Sequence, residues 1–380
     1  MLRTLFICYS YLSGNGGGIY AARTHINLFA EVSDTMTLLF PYKEGKDPEG
    51  VTKKNIEFIP IKDTRSKLKK GIDYCVGKVH RYVDIISEYV RPDLYDLVVF
   101  DSSVVSSSII ALFKNAGIKT ITIHHNYQIE YLLGDSSFIT LIPKLFWTRI
   151  YEKQAVKISD LNITLTKEDA KLLASHYDAK AKFAVLGVYE YQHRNFVLNN
   201  KEKRGNKYII TGSLQTKQTE DSLISWIRIY YPILKQVNPN VELTIAGREP
   251  SSKLISIIHS AGIQLIASPS NMLPILQEHD YYICPTDRGG GLKLRIMDGL
   301  KAGLPVLTHS VSARGYEKLA GEGILFSYNN IESFKEGVKA LHNISENHQN
   351  IQRKYMLLYN FNVGVINLRN ILSKYIISNS

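Results

Sequence analysis

The sequence predicts an α/β protein built from two Rossmann-like halves, each a doubly wound parallel sheet. Three features lead to this prediction: a length of 380 residues, short apolar runs that alternate with helical patterns, and one polar, basic stretch that separates two such series. At about 150 residues per domain, a chain of this length holds two domains. We expect the two halves to face a cleft.

Strand-like apolar runs recur through the first half of the chain. They occupy residues 2–10, 35–40, 96–101, 119–125 and 160–166. Because two neighbouring parallel strands need a long, usually helical connection, this alternation predicts a parallel, doubly wound sheet. Residues 1–190 are therefore predicted to form an N-terminal Rossmann-like domain.

A second series of apolar runs lies at residues 207–213, 241–247, 262–268, 281–286 and 305–310. The stretch 191–206 before it has the polar and basic composition of a linker, so residues 207–360 are predicted to form a C-terminal Rossmann-like domain. Residues 361–380 carry apolar side chains at helical spacing, and we expect them to form a helix that docks back on the N-terminal domain.

The composition indicates a folded protein without a membrane span. Hydrophobic residues make up 44% and charged residues 21% of the chain, and no run approaches the roughly 20 apolar residues that a spanning helix needs. The first residues, MLRTLFICYSYL, predict a β-strand rather than a signal peptide. The three cysteines, Cys8, Cys75 and Cys284, share no CxxC spacing, so neither a zinc site nor a disulfide framework is predicted. We expect a cytoplasmic location.

The formal net charge of +11 suits phosphate-bearing ligands, an anionic membrane surface or a nucleic acid. Much of the excess lies in segment 62–81, at Lys62, Arg65, Lys67, Lys69, Lys70, Lys78 and Arg81. This segment is either a solvated helix face or a peripheral membrane contact. Segment 138–149 joins a dense apolar run to two cations, which suits a membrane interface or core packing. Because no zinc-finger or RRM-like motif is present, we expect no nucleic-acid partner.

A glycine-rich turn follows the first predicted strand. Gly14, Gly16, Gly17 and Gly18 precede a helix that we expect to begin near Ile19. Glycines let the backbone approach a ligand and a helix N-terminus favours an anion, so Gly17 and Gly18 are candidates for binding a phosphate or sugar of a donor. Since the spacing does not match GxGxxG, a dinucleotide fingerprint is not indicated, and a plain tight turn is the alternative.

The most specific segment runs from residue 284 to residue 317, CPTDRGGGLKLRIMDGLKAGLPVLTHSVSARGYE. After a strand we expect a loop in which the backbone N–H groups of Gly290, Gly291 and Leu292 cradle a diphosphate, with Arg288 as a nearby cation.

The helix after this loop is predicted to carry Lys293, Arg295 and Asp298. Lys293 adds a cation next to the glycines. Asp298, about two turns into the helix, is placed to accept hydrogen bonds from ribose hydroxyls.

This segment resembles the donor-site signature of the retaining GT-B glycosyltransferases of family four, in the branch that reads R-x-G-x-G-I-K-x-K-x-L-E-A-x-A-x-G-x-P-V. In that family two glutamates are separated by seven residues; Asp298 stands at the position of the second and Gly290 at that of the first. The resemblance implies that Asp298 keeps the carboxylate for ribose. At Gly290 the carboxylate that commonly contacts the donor sugar is missing, and backbone N–H groups are expected to replace it.

Two further segments extend the resemblance over nearly the whole chain. Residues 210–250 are similar to the first part of the family's donor domain, where an Arg and a Lys contact the diphosphate. Ser213 stands at the Arg position, Lys217 lies near the Lys position, and Arg248 is a second candidate cation.

In the first half, ITIHHNYQIEYL resembles the strand end where many family members carry a histidine. His125 matches this position best, and His124 is the alternative. The implied role of His125 is to position substrate. Together with Lys293 and Lys217 it forms the set of residues expected to act in catalysis.

The resemblance implies a hexosyltransferase-type enzyme that holds a UDP- or GDP-linked sugar in its C-terminal domain and the acceptor in its N-terminal domain. It further implies retention of anomeric configuration, with no metal and no cofactor besides the donor. The acceptor is expected to be a glycan or lipid-linked saccharide of bacterial surface polysaccharide synthesis, such as lipopolysaccharide or capsule, at the inner face of the plasma membrane.

Two alternatives stay open. One is a nucleotide-sugar epimerase of the related two-lobed fold. The other is a catalytically degenerate nucleotide-sugar-binding partner subunit, which Gly290 and Ser213 motivate.

Overall fold

The computed structural model describes residues 1–14, 16–42, 48–51, 55–62, 65–75, 86, 90–135, 138–191, 198–199 and 205–377. The chain divides into two compact units. The first consists of Met1–His193, Gly290–Leu292 and Tyr359–Ser380, and the second of Arg194–Gly289 and Lys293–Leu358. The division therefore falls inside the stretch 191–206, of which residues 192–197 and 200–204 lie outside the described residues. It differs from the expected second domain of 207–360 in giving residues 290–292 to the first unit.

The first unit contains a seven-stranded sheet in the order β3-β2-β1-β4-β5-β6-β7, and every neighbouring pair is parallel. Its strands are β1 (Arg3–Cys8), β2 (Thr35–Tyr42), β3 (Ile56–Lys62), β4 (Leu97–Asp101), β5 (Lys119–His124), β6 (Leu161–Thr164) and β7 (Phe183–Val185). Its helices are α1 (Gly17–Val32), α2 (Lys67–Cys75), α3 (Ser107–Asn115), α4 (Gln128–Asp135), α5 (Phe138–Ile158), α6 (Lys167–His176) and α14 (Phe361–Leu372), with a short 3₁₀ turn at Pro92–Leu94 and a π turn at Ser373–Ile377.

Both faces of this sheet are covered, because successive side chains of a strand point to opposite faces. Phe6 and Val99 lie in the core on the side of α1 and α14, whereas Leu5 and Val98 lie in the core on the side of α3 and α5. Burial on both faces explains why the central strands are continuous apolar runs in the sequence.

The second unit contains a six-stranded parallel sheet in the order β10-β9-β8-β11-β12-β13. Its strands are β8 (Lys207–Ser213), β9 (Glu242–Arg248), β10 (Gln264–Ala267), β11 (Tyr281–Cys284), β12 (Val306–His309) and β13 (Leu325–Tyr328). Its helices are α7 (Lys217–Val237), α8 (Ser252–Ser260), α9 (Met272–Gln277), α10 (Arg295–Lys301), α11 (Glu317–Gly321) and α12 (Ile331–His342), followed by α13 (His348–Tyr359), whose last residue belongs to the first unit.

These two parallel sheets confirm the predicted fold class of two doubly wound α/β domains. The three strands absent from the predicted series are β3, β7 and β13, each of which forms the edge of its sheet. Helix α1 begins at Gly17 rather than near Ile19. Among the described residues, no helix is long and apolar enough to cross a membrane.

The C-terminal helix α14 packs against α1 in the first unit. The contact is close because Gly364 has no side chain: a Cβ built there would lie 2.7 Å from Cδ2 of Tyr189 and 2.9 Å from Cδ2 of Leu28. Asn367 adds a hydrogen bond of 2.7 Å from Nδ2 to the hydroxyl of Tyr189. The tail thus forms the predicted helix, and a helix–helix contact ties it to the first unit.

We predict that Gly364→Ala lowers the free energy of unfolding by about 1–3 kcal/mol, because the new methyl group overpacks this contact. Gly321→Ala is the matched control, since a Cβ there has no heavy atom within 4 Å, and alanine should leave stability unchanged or raise it by up to about 1 kcal/mol. Urea unfolding followed by circular dichroism measures both. Equal effects of the two substitutions would contradict the packing described here.

Candidate functional site

A buried carboxylate stands between two histidines at the carboxyl edge of the first sheet. Asp101 is the last residue of β4, and His125 directly follows the neighbouring strand β5, so the sheet brings them together. Nε2 of His125 lies 2.7 Å from Oδ1 of Asp101. His25, in the middle of α1, places its Nδ1 3.9 Å from the same oxygen.

The pKa values of the two histidines shift in opposite directions because their contacts with Asp101 differ. Burial by itself lowers the pKa of His125, but the charge of Asp101 and its hydrogen bond outweigh burial and raise that pKa above its ordinary value. Burial likewise opposes ionisation of Asp101, but the histidines, His125 above all, lower its pKa overall. For His25, burial dominates and lowers the pKa. These shifts favour the charged forms of Asp101 and His125 and the neutral form of His25.

His124 lies on the other side of the strand end and has a structural role. Its Nε2 lies 2.9 Å from Oδ1 of Asn162, its side chain is fully buried, and burial lowers its pKa to about 4. Of the two adjacent histidines, His125 is thus the one that meets a carboxylate and is partly exposed, with 17% of its side chain accessible.

The ligand atoms of His25, Asp101 and His125 all lie within 4.8 Å of one another, close enough to approach a single metal ion. The short His125–Asp101 distance is, however, that of a charge-assisted hydrogen bond, which already gives both groups a partner. The absence of a metal requirement stays a prediction. Cys8 is a buried thiol whose Sγ lies 3.7 Å from Oδ2 of Asp101, and burial raises its pKa well above the ordinary value.

The glycine turn after β1 is exposed. Gly17 and Gly18 form the first turn of α1, with Gly16 as N-cap, and no side chain caps this helix. A Cβ on Gly18 would meet no heavy atom within 4 Å, so the backbone here is open to an approaching ligand.

In the second unit, three of the candidate donor-binding residues lie at the carboxyl edge of β8 and β9. Ser213 ends β8 and is paired in register with Arg248, which ends β9. The carbonyl oxygen of Ser213 accepts a hydrogen bond from the hydroxyl of Thr216, the N-cap of α7. Lys217 is the first residue of α7, and both it and Arg248 are exposed.

The loop after β11 holds Arg288 in an ion pair that sequence reasoning missed. Nε of Arg288 lies 2.8 Å from Oδ1 of Asp287, which also accepts a hydrogen bond of 2.7 Å from the hydroxyl of Ser222. The carbonyl oxygen of Arg288 accepts a hydrogen bond from the side-chain amide of Gln218. Asp287 thus fixes Arg288 against α7 and offsets its charge.

The glycines of this loop are required by its backbone. Gly289 and Gly291 have φ of 78° and 74°, which favours glycine. Gly290, Gly291 and Leu292 group with the first unit, whereas Arg288, Lys293 and Asp298 belong to the second.

The structure corrects the predicted positions of Lys293 and Asp298. Helix α10 begins only at Arg295, so Lys293 precedes the helix, and Asp298 lies in its first turn rather than two turns in. Lys293 is 9% exposed, and its Nζ donates to the carbonyl oxygen of Gly289 at 3.4 Å. Asp298 is exposed, as a group that contacts a ligand must be.

Arg295 received no role from the sequence, yet it reaches the start of α7. Its Nη2 donates to the hydroxyl of Thr219 at 3.1 Å, and its Nη1 lies 3.4 Å from the hydroxyl of Thr286. Arg295 and Thr219 are 76 residues apart in the sequence, so local residue spacing could not predict their contact. Asp101, by contrast, was detectable as a carboxylate at the end of a predicted strand next to the one that carries His125.

The sequence profile described as Glycosyl transferases group 1 matches residues 205–343, which include the loops after β8 and β11. Solved structures with the GT-B fold align over nearly the whole chain. The chain has the GT-B fold, and residues 205–343 resemble the group 1 glycosyl transferases.

Three similar proteins set this chain in context. An uncharacterised 44.6 kDa protein in the cps region of Klebsiella pneumoniae is 24% identical over 302 residues, which cover 76% of this chain and 72% of the relative. The Anabaena protein Alr3699/HepE, solved with UDP and glucose, aligns with a TM-score of 0.64 at 12% identity over 98% of this chain and 100% of that one. WaaG, a glycosyltransferase involved in lipopolysaccharide biosynthesis, aligns with a TM-score of 0.61 at 15% identity over 97% and 98% of the two chains.

We predict that the His125 ring titrates above its ordinary pKa of about 6.5, and that Asp101→Asn lowers this pKa. Because folding raises the pKa of His125, its charge stabilises the fold below about pH 6.5, and this stabilisation is lost as pH rises through the folded pKa. The loss of stability in His125→Gln should accordingly be larger at pH 6 than at pH 9. Histidine NMR titration and urea unfolding at both pH values check this. An unchanged His125 titration in Asp101→Asn would contradict the ion pair.

Proposed function

We propose that this glycosyltransferase moves a hexosyl group from a UDP- or GDP-linked sugar to a glycan or lipid-linked saccharide, with retention of anomeric configuration. The second unit binds the nucleotide diphosphate and the first unit binds the acceptor. The reaction serves bacterial surface polysaccharide synthesis, in line with the cps-region relative, and takes place in the cytoplasm at the inner face of the plasma membrane.

The observation that carries this proposal is the convergence of ligand-binding groups at the carboxyl edge of the second sheet. Strands β8, β9 and β11 end side by side, and the residues that follow them are Ser213, Arg248 and the loop with Arg288. In open parallel sheets, ligands bind at this edge. The matched family profile spans all of these loops.

The charges of the site suit a departing diphosphate. As the bond between the anomeric carbon and the phosphate oxygen breaks, negative charge grows on the leaving group, and fixed cations stabilise that charge. Lys293, Lys217 and Arg248, which all belong to the second unit, are the side chains that we assign to this task. Asp298, exposed in the first turn of α10, accepts hydrogen bonds from the ribose.

Retention follows in this proposal from a displacement on one face of the sugar. The acceptor oxygen bonds to the anomeric carbon on the side from which the diphosphate leaves, and the acceptor proton passes to the departing phosphate oxygen. No separate base and no metal is needed. We assign His125 a role in positioning substrate and not in taking the proton, because its Nε2 is already engaged by Asp101 at 2.7 Å.

The donor is tested by thermal shift with UDP, GDP, ADP, CMP, TDP and their common sugar conjugates. One nucleoside diphosphate should stabilise the protein selectively, by about 2.7 kcal/mol at 100 times its dissociation constant. Lys293→Met, which keeps the side-chain length without the charge, should abolish the shift, and Asp298→Ala should reduce it. Lys318→Ala, an exposed lysine on α11, is the control and should leave it unchanged.

Absence of a shift with every nucleotide would contradict the proposal. Binding without transfer or donor hydrolysis above background would favour the degenerate partner subunit, and an isomerised nucleotide sugar would favour the epimerase. With the donor known, proton NMR of the product then reads the anomeric configuration, and inversion would overturn the proposed displacement.

We also propose a peripheral membrane contact through α2 and α5, two helices that pack side by side in the first unit. Leu68 and Ile72 of α2 are 76% and 55% exposed, and Ile142 and Phe146 of α5 are 66% and 59% exposed. Each pair is spaced i, i+4 and so lies on one helix face. Lys62, Lys69 and Lys70 are nearby in sequence, whereas Arg65 pairs with Asp73 at 2.9 Å. Lys78 and Arg81 of segment 62–81 lie outside the described residues.

Apolar side chains beside lysines favour an anionic lipid surface, so we predict that the protein floats with vesicles containing anionic lipid and not with neutral vesicles. The double variant Leu68→Ser/Ile72→Ser should stay with the unbound fraction. Leu357→Ser, which removes a side chain that is 72% exposed in the second unit, is the control. Flotation that is equal for all three proteins would contradict this surface.

A further inference from the structure

The guanidinium of Arg295 is held by neutral groups alone. Its hydrogen-bond partners are the hydroxyls of Thr219 and Thr286, at 3.1 Å and 3.4 Å. Arg295 is half-buried, and in the part of the chain that the structure describes no carboxylate lies within ion-pair distance of it. Arg288 differs in this respect, because Asp287 lies against it.

A half-buried cation without a counter-ion is unfavourable unless an anion joins it. Guanidinium groups present planar, forked donors that match the oxygens of phosphate groups. Two neutral hydroxyls use only part of the five N–H donors that an arginine carries. The arrangement therefore has the capacity to bind a phosphate.

The position of the guanidinium agrees with this capacity. A Cβ built on Gly212 would lie 2.7 Å from Nη1 of Arg295, so the absence of a side chain at Gly212 makes room for the cation. Gly212 is the penultimate residue of β8, next to Ser213. Arg295 thus places its charge beside the strand end at which Ser213 offers none.

Two neighbouring elements reach the same strand end. Thr219, the partner of Arg295, lies in the first turn of α7, a helix of 21 residues whose N-cap makes no side-chain capping bond. Gly247 also faces this strand end, since a Cβ there would meet the carbonyl oxygen of Gly212.

We propose that Arg295 binds the diphosphate of the nucleotide sugar at the end of β8 and so replaces the cation that is missing at Ser213. This inference rests on the proposed function, because it assigns a residue to the donor site. It makes Arg295 a donor-binding residue in addition to Lys293, and it assigns Lys217 and Arg248, both exposed, a smaller share of the diphosphate.

The test compares the affinity of four proteins for the nucleoside diphosphate that the wild type binds and for the matching monophosphate, by isothermal titration calorimetry. Arg295→Gln should weaken binding of the diphosphate by about 10- to 100-fold, the range for a lost charged hydrogen bond. The monophosphate should lose less, so the preference for diphosphate falls. Arg295→Lys keeps the charge without the fork and should lie between wild type and Arg295→Gln. Arg228→Gln removes an exposed charge on α7 and is the control.

The possible results distinguish failure of the proposed function from failure of the role assigned to Arg295. Wild-type protein that binds no nucleoside diphosphate overturns the proposed function and this inference with it. Wild-type binding that Arg295→Gln leaves intact overturns the role of Arg295 alone. If Arg295 only clamps α10 to α7, Arg295→Gln will lower the melting temperature and weaken both nucleotides equally, and Arg295→Lys will not rescue the preference for diphosphate; that result also overturns the inference.

Discussion

Burial of two all-parallel sheets on both faces confines the polar chemistry of this chain to the ends of its strands. A side chain in the middle of such a strand meets apolar helices on either side, and an ionised group there would lose its hydration without compensation. Past the last residue of the strand, the same side chain reaches a loop and finds partners. Asp101, His125, Ser213 and Arg248 all stand at or directly after such ends. The sheet order then decides which of them become neighbours.

The Asp101–His125 pair shows how a charged group is accommodated at a buried strand end. The carboxylate is fully buried, and its charge is tolerated because His125 donates to it at 2.7 Å and His25 lies close by. A buried ion pair is weak evidence for stability, since replacing it with apolar side chains is often neutral. Perturbed ionisation in a partly open position is more typical of functional sites. We therefore regard this pair as a functional feature of the first unit rather than as a device that stabilises the sheet.

The sequence predicts the fold well because the strands at the centre of each sheet are continuous apolar runs. β3 alternates buried and exposed residues, β7 has three residues, and β13 is half-buried, so these edge strands lack that pattern. The same limit applies to the site. His125 and the 285–298 loop follow from motifs that are local in sequence, whereas the contact of Arg295 with Thr219 and the pairing of His25 with Asp101 arise only when distant segments meet. The start of helix α10 could not be predicted either, because no residue after the glycines indicates that the helix begins only at Arg295.

We propose that the second unit binds the diphosphate of the donor through the loops after β8 and β11. Hydrogen–deuterium exchange of the full chain, with and without the nucleoside diphosphate that it prefers, tests this claim directly. We predict that bound nucleotide slows the exchange of backbone amide hydrogens in residues 213–220 and 285–298 and changes it little in α8, α9 and α12. Protection confined to the first unit, at the turn before α1 and around His125, would contradict it.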